Sequence, residues 1–163
     1  MARQLMTIEQ ILSILRQTPD RLTELTAGVI GSQLHVAPEP GEWSVAEVLA
    51  HLRSCADVWG DVIETIVVTD HPTIRAVNPT TWIKTTDYRE IEFARSLQAF
   101  TEQRHRLLGL MGHLPNDGWS RSATVLGAGN PLELTVRSYA DRLARHERTH
   151  WRQVAKTVKA RAG

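Results

Sequence analysis

The stretch SVAEVLAHLRSCADVWGDVIETI, residues 44–66, carries the clearest helix signals of the chain. Ser44 and Glu47 form an S-x-x-E capping box, in which each side chain satisfies a free backbone N–H at the start of a helix. Apolar residues then recur every three or four positions, which predicts a helix with one apolar face that packs against partner helices. Those residues are Val45, Val48, Leu49, Leu52, Ala56, Trp59, Ile63 and Ile66. We expect this second helix of the chain to end near Thr69.

Three further segments have the same periodicity and predict an all-α fold, a four-helix bundle. Helix one begins after the capping residue Thr7, and Pro19 predicts either a kink or a restart within it. Asp87 is expected to cap helix three, which stops at Gly112. Helix four covers residues from about 135 to 160.

Two connections shape the expected bundle. The segment from His71 to Thr86 contains two prolines and no sustained periodicity, so it predicts a long crossover between helices two and three. The segment from Trp119 to Leu134 carries turn residues between two short β-prone pieces. That pattern allows a small hairpin before helix four.

Composition limits the classes of function. A chain of 163 residues predicts a single domain, residues 1–163, and a net charge of +1 gives no field that favours nucleic acid. No apolar run approaches the roughly 18 residues that would span a membrane. The lone cysteine, Cys55, and the absence of a signal-like N-terminus favour a soluble protein of the cytoplasm.

Helix four carries the residues that indicate chemistry. Its inward face is apolar at both ends but has His146, Glu147 and His150 in the middle. Two histidines four positions apart on a helix can reach one ion, and H-E-x-x-H is also the motif of zinc peptidases, where the glutamate is the general base. Those enzymes usually take a third ligand from downstream, yet the 13 residues after His150 include no His, Asp or Glu. A third ligand must therefore come from upstream.

His51 is the candidate for that ligand, because it lies two turns into helix two at the flank of the apolar stripe. Pairs of helical histidines also occur as surface residues or as hydrogen-bonded core residues. Burial favours a metal here, since an unpartnered buried polar group costs about 1–3 kcal/mol and a shared cation would satisfy the imidazoles together. The other histidines stay open as alternatives: His35, His71, His105 and His113.

Two strings together resemble a known family. Residues 40–52, PGEWSVAEVLAHL, followed by residues 146–153, HERTHWRQ, are similar to the DinB-like superfamily of metal-binding four-helix bundles. That superfamily includes proteins described as metal-dependent hydrolases and bacterial thiol transferases. The resemblance implies that His51, His146 and His150 match the metal-binding triad, with zinc or nickel as the usual ion. It also implies the crossover between helices two and three and a homodimer.

Three protein ligands would leave a coordination position for water or substrate. The leading hypothesis is a metal-dependent enzyme that acts on a small molecule, by hydrolysis or by transfer of a low-molecular-weight thiol. Glu147 is expected either to accept a proton or to orient a ligand histidine. Arg148 and Arg152 belong to a basic run that is ordinarily a solvated face, or else binds an anionic thiol cofactor. We interpret Cys55 as an inert buried thiol rather than a fourth ligand.

Two other classes of function share this sequence pattern. A non-catalytic bundle that binds metal or ligand would use the same three histidines. A purely structural helical dimer with fortuitous histidines would contain no stoichiometric metal. Elemental analysis separates the last class from the first two.

Overall fold

The computed structural model describes residues 3–163, and four long helices form a bundle. The helices are α1 (Ile8–Thr26), α2 (Val45–Val68), the one-turn α3 (Pro79–Trp82), α4 (Phe93–Gly112) and α5 (Val136–Arg161). Both α1 and α2 pack against α4 and α5, so α1 and α2 lie on a diagonal of the bundle. The predicted four-helix bundle is confirmed.

Side-chain caps fix where the helices begin. Ser44 and Glu47 form the predicted capping box of α2, with the Glu47 carboxylate accepting from the Ser44 N–H at 2.7 Å. The predicted third long helix is α4, and the capping residue predicted for it was wrong. Glu92 rather than Asp87 accepts hydrogen bonds from the first free N–H groups of α4. The helix does not restart at Pro19, since α1 continues through it from Ile8 to Thr26.

The crossover between α2 and α4 contributes to a small sheet. Strand β1 (Thr73–Arg75) pairs in parallel with β2 (Ser122–Leu126), and β2 pairs antiparallel with β3 (Leu132–Thr135). The hairpin expected before the last helix is therefore present, and β1 adds a third strand that the sequence pattern did not reveal. Strand β3 ends at Thr135, which caps α5 and so fixes the start of the helix that carries the histidine pair.

The apolar faces of the helices meet in a continuous core. Leu52 and Ile63 of α2 and Leu143 of α5 are each fully buried in it. Within residues 3–163, no helix is long and apolar enough to cross a membrane. The core holds α2 and α5 side by side, which determines the geometry of the site described next.

Candidate metal centre

The histidines of α2 and α5 face one another where these two helices pack together, and the helices run in opposite directions. Trp43, just before α2, stacks near His150 late in α5, with ring centroids 6.3 Å apart. Trp59, further along α2, contacts His146 earlier in α5 at 5.2 Å. His51 lies between these two contacts on α2. Its ring therefore projects into the space between the two α5 histidines.

The structure brings the three predicted ligand residues together. The Nε2 atoms of His51 and His146 are 2.9 Å apart, and those of His146 and His150 are 3.1 Å apart. The three ring centroids lie within 4.4–5.0 Å of one another. Residues 95 positions apart in the chain thus place ring nitrogens in direct contact.

Protons alone cannot satisfy these nitrogens. The Nδ1–H of His150 donates to the Gln153 side-chain oxygen at 2.8 Å, which leaves the His150 Nε2 as a lone pair directed at His146. A proton on the His146 Nε2 could serve His150 or His51 but not both. If that proton bonds to His150, the His51 Nε2 faces the His146 Nε2 either with a second proton or with a lone pair that no proton is left to satisfy. A cation shared by the three nitrogens resolves the conflict, so the residues fit a metal ion.

The environment keeps the imidazoles neutral, which is the form that binds metal. Burial, reinforced by His150 and His51, lowers the pKa of His146 to about 3. Burial, with His150 and Arg89 adding to it, lowers the pKa of His51 to about 4. Burial also lowers the pKa of His150, although Gln153 opposes the shift. At neutral pH, the lone pairs are therefore available.

Cys55 lies against the same cluster. Its Sγ is 3.7 Å from the His51 Nε2 and 3.8 Å from the His146 Nε2. The side chain is 1% exposed, and burial together with the nearby Glu147 raises the pKa of the thiol to about 12. The predicted burial is correct, but this thiol contacts the candidate site. The available sequence signal was its position four residues after His51, the same spacing as between His146 and His150.

Glu147 does not share the environment of its neighbours. It is fully buried, and its carboxylate forms a two-point ion pair with the equally buried Arg104, one contact measuring 2.7 Å. Arg104 also donates to the Leu15 carbonyl oxygen at 3.0 Å. Within residues 3–163, Arg104 is the sole hydrogen-bond partner of the Glu147 side chain. The predicted proton transfer by Glu147 finds no support in this pairing, which occupies both carboxylate oxygens.

A cavity of about 890 Å³ opens beside His150. Trp43 forms another part of its wall, so the cavity borders the imidazole cluster. The charged residues that line it are Glu39, Glu42, Lys156 and Arg161. Cys55 is not among the lining residues. Access to the cluster from this side therefore passes His150 and Trp43.

The two arginines predicted to bind a cofactor lie elsewhere. Arg148 lines a separate groove against α1, together with Glu9 and Arg145. Arg152 is exposed and does not line the cavity beside His150. Lys156 and Arg161 are the basic residues of that cavity. The sequence pattern did not distinguish Lys156 from the rest of the basic run, and Arg161 lies beyond that run.

The four alternative histidines are all exposed, and none of their hydrogen bonds within residues 3–163 involves the imidazole cluster. His71 pairs with Glu133 at 2.7 Å, and His113 contacts the Gly109 carbonyl oxygen at 2.6 Å. His35 and His105 are exposed on the surface. His51 is thus the upstream histidine that the fold brings to the α5 pair.

Comparisons with known proteins identify the family of this chain. The family model of the DinB superfamily matches residues 14–154. A protein of Geobacillus thermodenitrificans named "Putative metal-dependent hydrolase" is 25% identical over an alignment of 135 residues that covers 79% of this chain and 72% of that protein. A protein of the same description from Geobacillus kaustophilus is 25% identical over 154 residues, covering 91% and 82% of the two chains.

Solved structures show the same fold. YfiT from Bacillus subtilis, described as a probable metal-dependent hydrolase with an unusual four-helix bundle topology, superposes with a TM-score of 0.81 at 18% identity. The superposition covers 99% of this chain and 93% of YfiT. A mycothiol-dependent maleylpyruvate isomerase gives a TM-score of 0.69 at 12% identity, over 91% of this chain and 61% of the isomerase.

Proposed function

The chain belongs to the DinB superfamily, and we propose that it is a metal-dependent enzyme that acts on a small molecule through an ion held by His51, His146 and His150. One observation carries the proposal: three imidazole nitrogens converge within 2.9–3.1 Å contacts that their protons cannot satisfy. A divalent ion held there would act as a Lewis acid, lowering the pKa of bound water to about 7 or binding a thiol as its thiolate.

The surrounding residues prepare the cluster for this role. Gln153 holds the His150 ring in the tautomer whose Nε2 faces the site. The Arg104–Glu147 pair, buried beneath the histidine turn of α5, keeps that segment in place. Trp43 packs against His51, with ring centroids 5.0 Å apart, and shields that ring from solvent. Together these contacts would preorganise the ligands before any substrate enters.

We assign substrate binding to the cavity beside His150. Its volume of about 890 Å³ suits a small molecule. Lys156 and Arg161 would attract an anionic group of the substrate, and Glu39 or Glu42 would accept the proton released there, in place of Glu147. Hydrolysis is the leading reaction, since the two sequence relatives are named as hydrolases.

Thiol transfer is the second candidate. It is favoured by the structural neighbour that depends on mycothiol, and by the engagement of Glu147 with Arg104, which removes the base expected for activating water. Zinc or nickel as the ion, a cytoplasmic location and a homodimer remain predictions. Three imidazoles suit either of these metals.

The metal content of the purified protein tests the proposal. We expect close to one divalent ion per chain in the wild type, and loss of that ion in His51→Ala, His146→Ala and His150→Ala. Arg152→Ala, an exposed substitution on the same helix, should retain it. Metal-free wild-type protein that does not take up zinc or nickel, or histidine variants that bind as well as the wild type, would overturn it.

Activity separates an enzyme from a binding protein. The metal-loaded chain should act on model esters and amides, or join a low-molecular-weight thiol to a model electrophile. His150→Ala should lose that activity. A metal-loaded protein that is inert toward both substrate classes would instead favour the non-catalytic binding bundle.

A further inference from the structure

We propose that Cys55 is a fourth donor to the ion, so that the chain supplies three imidazoles and one thiolate. This inference rests on the proposed function, because it concerns the same ion. It goes further because it assigns a ligand role to Cys55, which the sequence pattern predicts to be an inert buried thiol.

The four side chains form two matched pairs. His51 and Cys55 are four residues apart on α2, and His146 and His150 are four residues apart on α5. Residues at this spacing project from the same side of a helix, one turn apart. Because the helices run in opposite directions, Cys55 lies level with His146, as the 3.8 Å contact between its Sγ and the His146 Nε2 shows.

Four donor-to-donor contacts are close to those of a four-coordinate site, and His150 joins this set through its contact with His146. Zinc bonds of about 2.0–2.1 Å to nitrogen and about 2.3 Å to sulfur place tetrahedral nitrogen donors about 3.3 Å apart, and nitrogen about 3.6 Å from sulfur. The contacts here are 2.9 and 3.1 Å between imidazole nitrogens, and 3.7 and 3.8 Å from Sγ to nitrogen. One ligand atom each from His51, Cys55 and His146 lies within 4.8 Å of the others.

The position of Cys55 leaves the cavity side free. Its side chain is 1% exposed and does not line the cavity beside His150. A thiolate at this position would close the buried side of the ion, so substrate would enter as a fifth ligand or displace a donor from the cavity side. Sulfur would also favour zinc, nickel or cobalt over magnesium and manganese, which prefer oxygen ligands.

Cobalt(II) provides a direct test, because Cys55 is the sole cysteine of the chain. The full-length protein is stripped of metal, kept reduced with a phosphine instead of a thiol, and titrated with Co²⁺. A sulfur-to-cobalt charge-transfer band in the near ultraviolet can then arise from one thiolate. We expect the band in the wild type, and its absence from Cys55→Ser and Cys55→Ala, which should bind Co²⁺ at least about tenfold more weakly.

His150→Ala is the matched control. It removes a different donor, so it should bind Co²⁺ more weakly yet retain the thiolate band. Competition between Zn²⁺ and Mn²⁺ gives a second readout, in which Cys55→Ala should reduce the preference for Zn²⁺. Circular dichroism of the metal-free variants confirms that they are folded, and the wild-type spectrum decides the matter even if one is not.

The outcomes separate the two proposals. Wild-type protein that binds Co²⁺ with visible absorption but without the thiolate band would overturn the role of Cys55 and leave the three-histidine site standing. Unchanged Co²⁺ affinity and Zn²⁺ preference in Cys55→Ala would do the same. Wild-type protein that binds no Co²⁺ would overturn both proposals.

Discussion

Helix α5 carries two polar clusters at adjacent positions, one fully buried and one half-buried, and their polar groups are satisfied in different ways. On one side, Glu147 meets Arg104, and both side chains are completely buried. On the other side, His146 and His150 meet His51 and Cys55. The first cluster contains a cation, an anion and the hydrogen bonds that join them. The second contains only donors of lone pairs and a thiol.

The two clusters differ in what each needs from outside the chain. Arg104 and Glu147 neutralise one another, so this pair is complete in charge within the chain, although the buried Arg104 Nε–H has no hydrogen-bond partner within residues 3–163. The imidazole nitrogens face each other without enough protons to pair them, so we propose that a cation completes this cluster. Burial of polar groups is therefore a weak indicator of a site by itself. The indicator is whether the buried groups can satisfy one another.

The largest expected effect comes from breaking the complete cluster. Glu147→Ala leaves the Arg104 charge buried without a partner and should lower the free energy of unfolding by about 3–5 kcal/mol. Urea unfolding of the metal-free protein measures this loss. Glu133→Ala, which removes an exposed partner of His71, should cost at most about 1 kcal/mol. Equal losses in the two variants would show that the buried pair contributes no more than a surface pair.

The incomplete cluster should gain stability from metal. At a free Zn²⁺ concentration 100 times the dissociation constant, the wild type should gain about 2.7 kcal/mol over the metal-free form. Unfolding with Zn²⁺ or with a chelator measures the gain. His150→Ala should show little gain at the same Zn²⁺ concentration. A similar gain in both proteins would place the bound metal outside the cluster.

Removing the support of one ligand should have a smaller effect. Gln153→Ala frees the His150 ring to change tautomer and should weaken Zn²⁺ binding about 10- to 100-fold. Gln153→Glu keeps an acceptor for the Nδ1–H and should preserve the affinity. Competition with a chromophoric chelator compares the two variants. If both bind Zn²⁺ as the wild type does, the hydrogen bond has no part in holding the ligand.

Acid should destabilise the metal-free protein through the histidines. In the folded chain the pKa of His146 is about 3 and that of His51 is about 4, whereas the ordinary pKa of histidine, which applies in the unfolded chain, is 6.5. Between these pKa values the unfolded chain binds more protons than the folded chain. The free energy of unfolding is therefore highest above pH 6.5 and decreases as the pH falls below it. Solvent screens these partly exposed rings, so we expect a difference of about 1 kcal/mol. His146→Gln should flatten the dependence of the unfolding free energy on pH, and an unchanged slope would contradict this assignment.

The smallest effect is expected at the two arginines that the sequence predicts to bind a cofactor. Arg148→Ala and Arg152→Ala should leave the binding of an anionic thiol unchanged, because neither residue lines the cavity beside His150. Lys156→Ala should weaken that binding by up to about fivefold. Isothermal titration with the metal-loaded protein checks the contrast. Weaker binding in Arg148→Ala than in Lys156→Ala would restore the first interpretation.

Local sequence signals account for the helices of the bundle. The capping box of Ser44 and Glu47 marks the start of α2, and the apolar period predicts its buried face. The cap of α4 was missed because both Asp87 and Glu92 precede the apolar run, and either carboxylate can accept from free N–H groups. Strand β1 escaped prediction because three residues in a long connection have no period to detect.

The candidate site likewise contains residues that local sequence patterns indicate and contacts that they do not. The spacing of His146 and His150 indicates a pair on one helix. The position of His51 beside the apolar stripe of α2 favoured it over the other histidines, and the resemblance implied its role as a ligand. The pairing of Glu147 with Arg104 joins residues 43 positions apart on different helices, and no local pattern encodes it. Cys55 had the right spacing from His51, but burial alone explains a lone cysteine, so its contact with the cluster needed the packing of α2 on α5.

Anomalous diffraction from crystals grown with Zn²⁺ would locate the ion itself. We predict one strong peak between α2 and α5, about 2.0–2.1 Å from the Nε2 atoms of His51, His146 and His150. The absence of a peak there at saturating Zn²⁺, with the three imidazoles hydrogen-bonded to one another or to water, would contradict it.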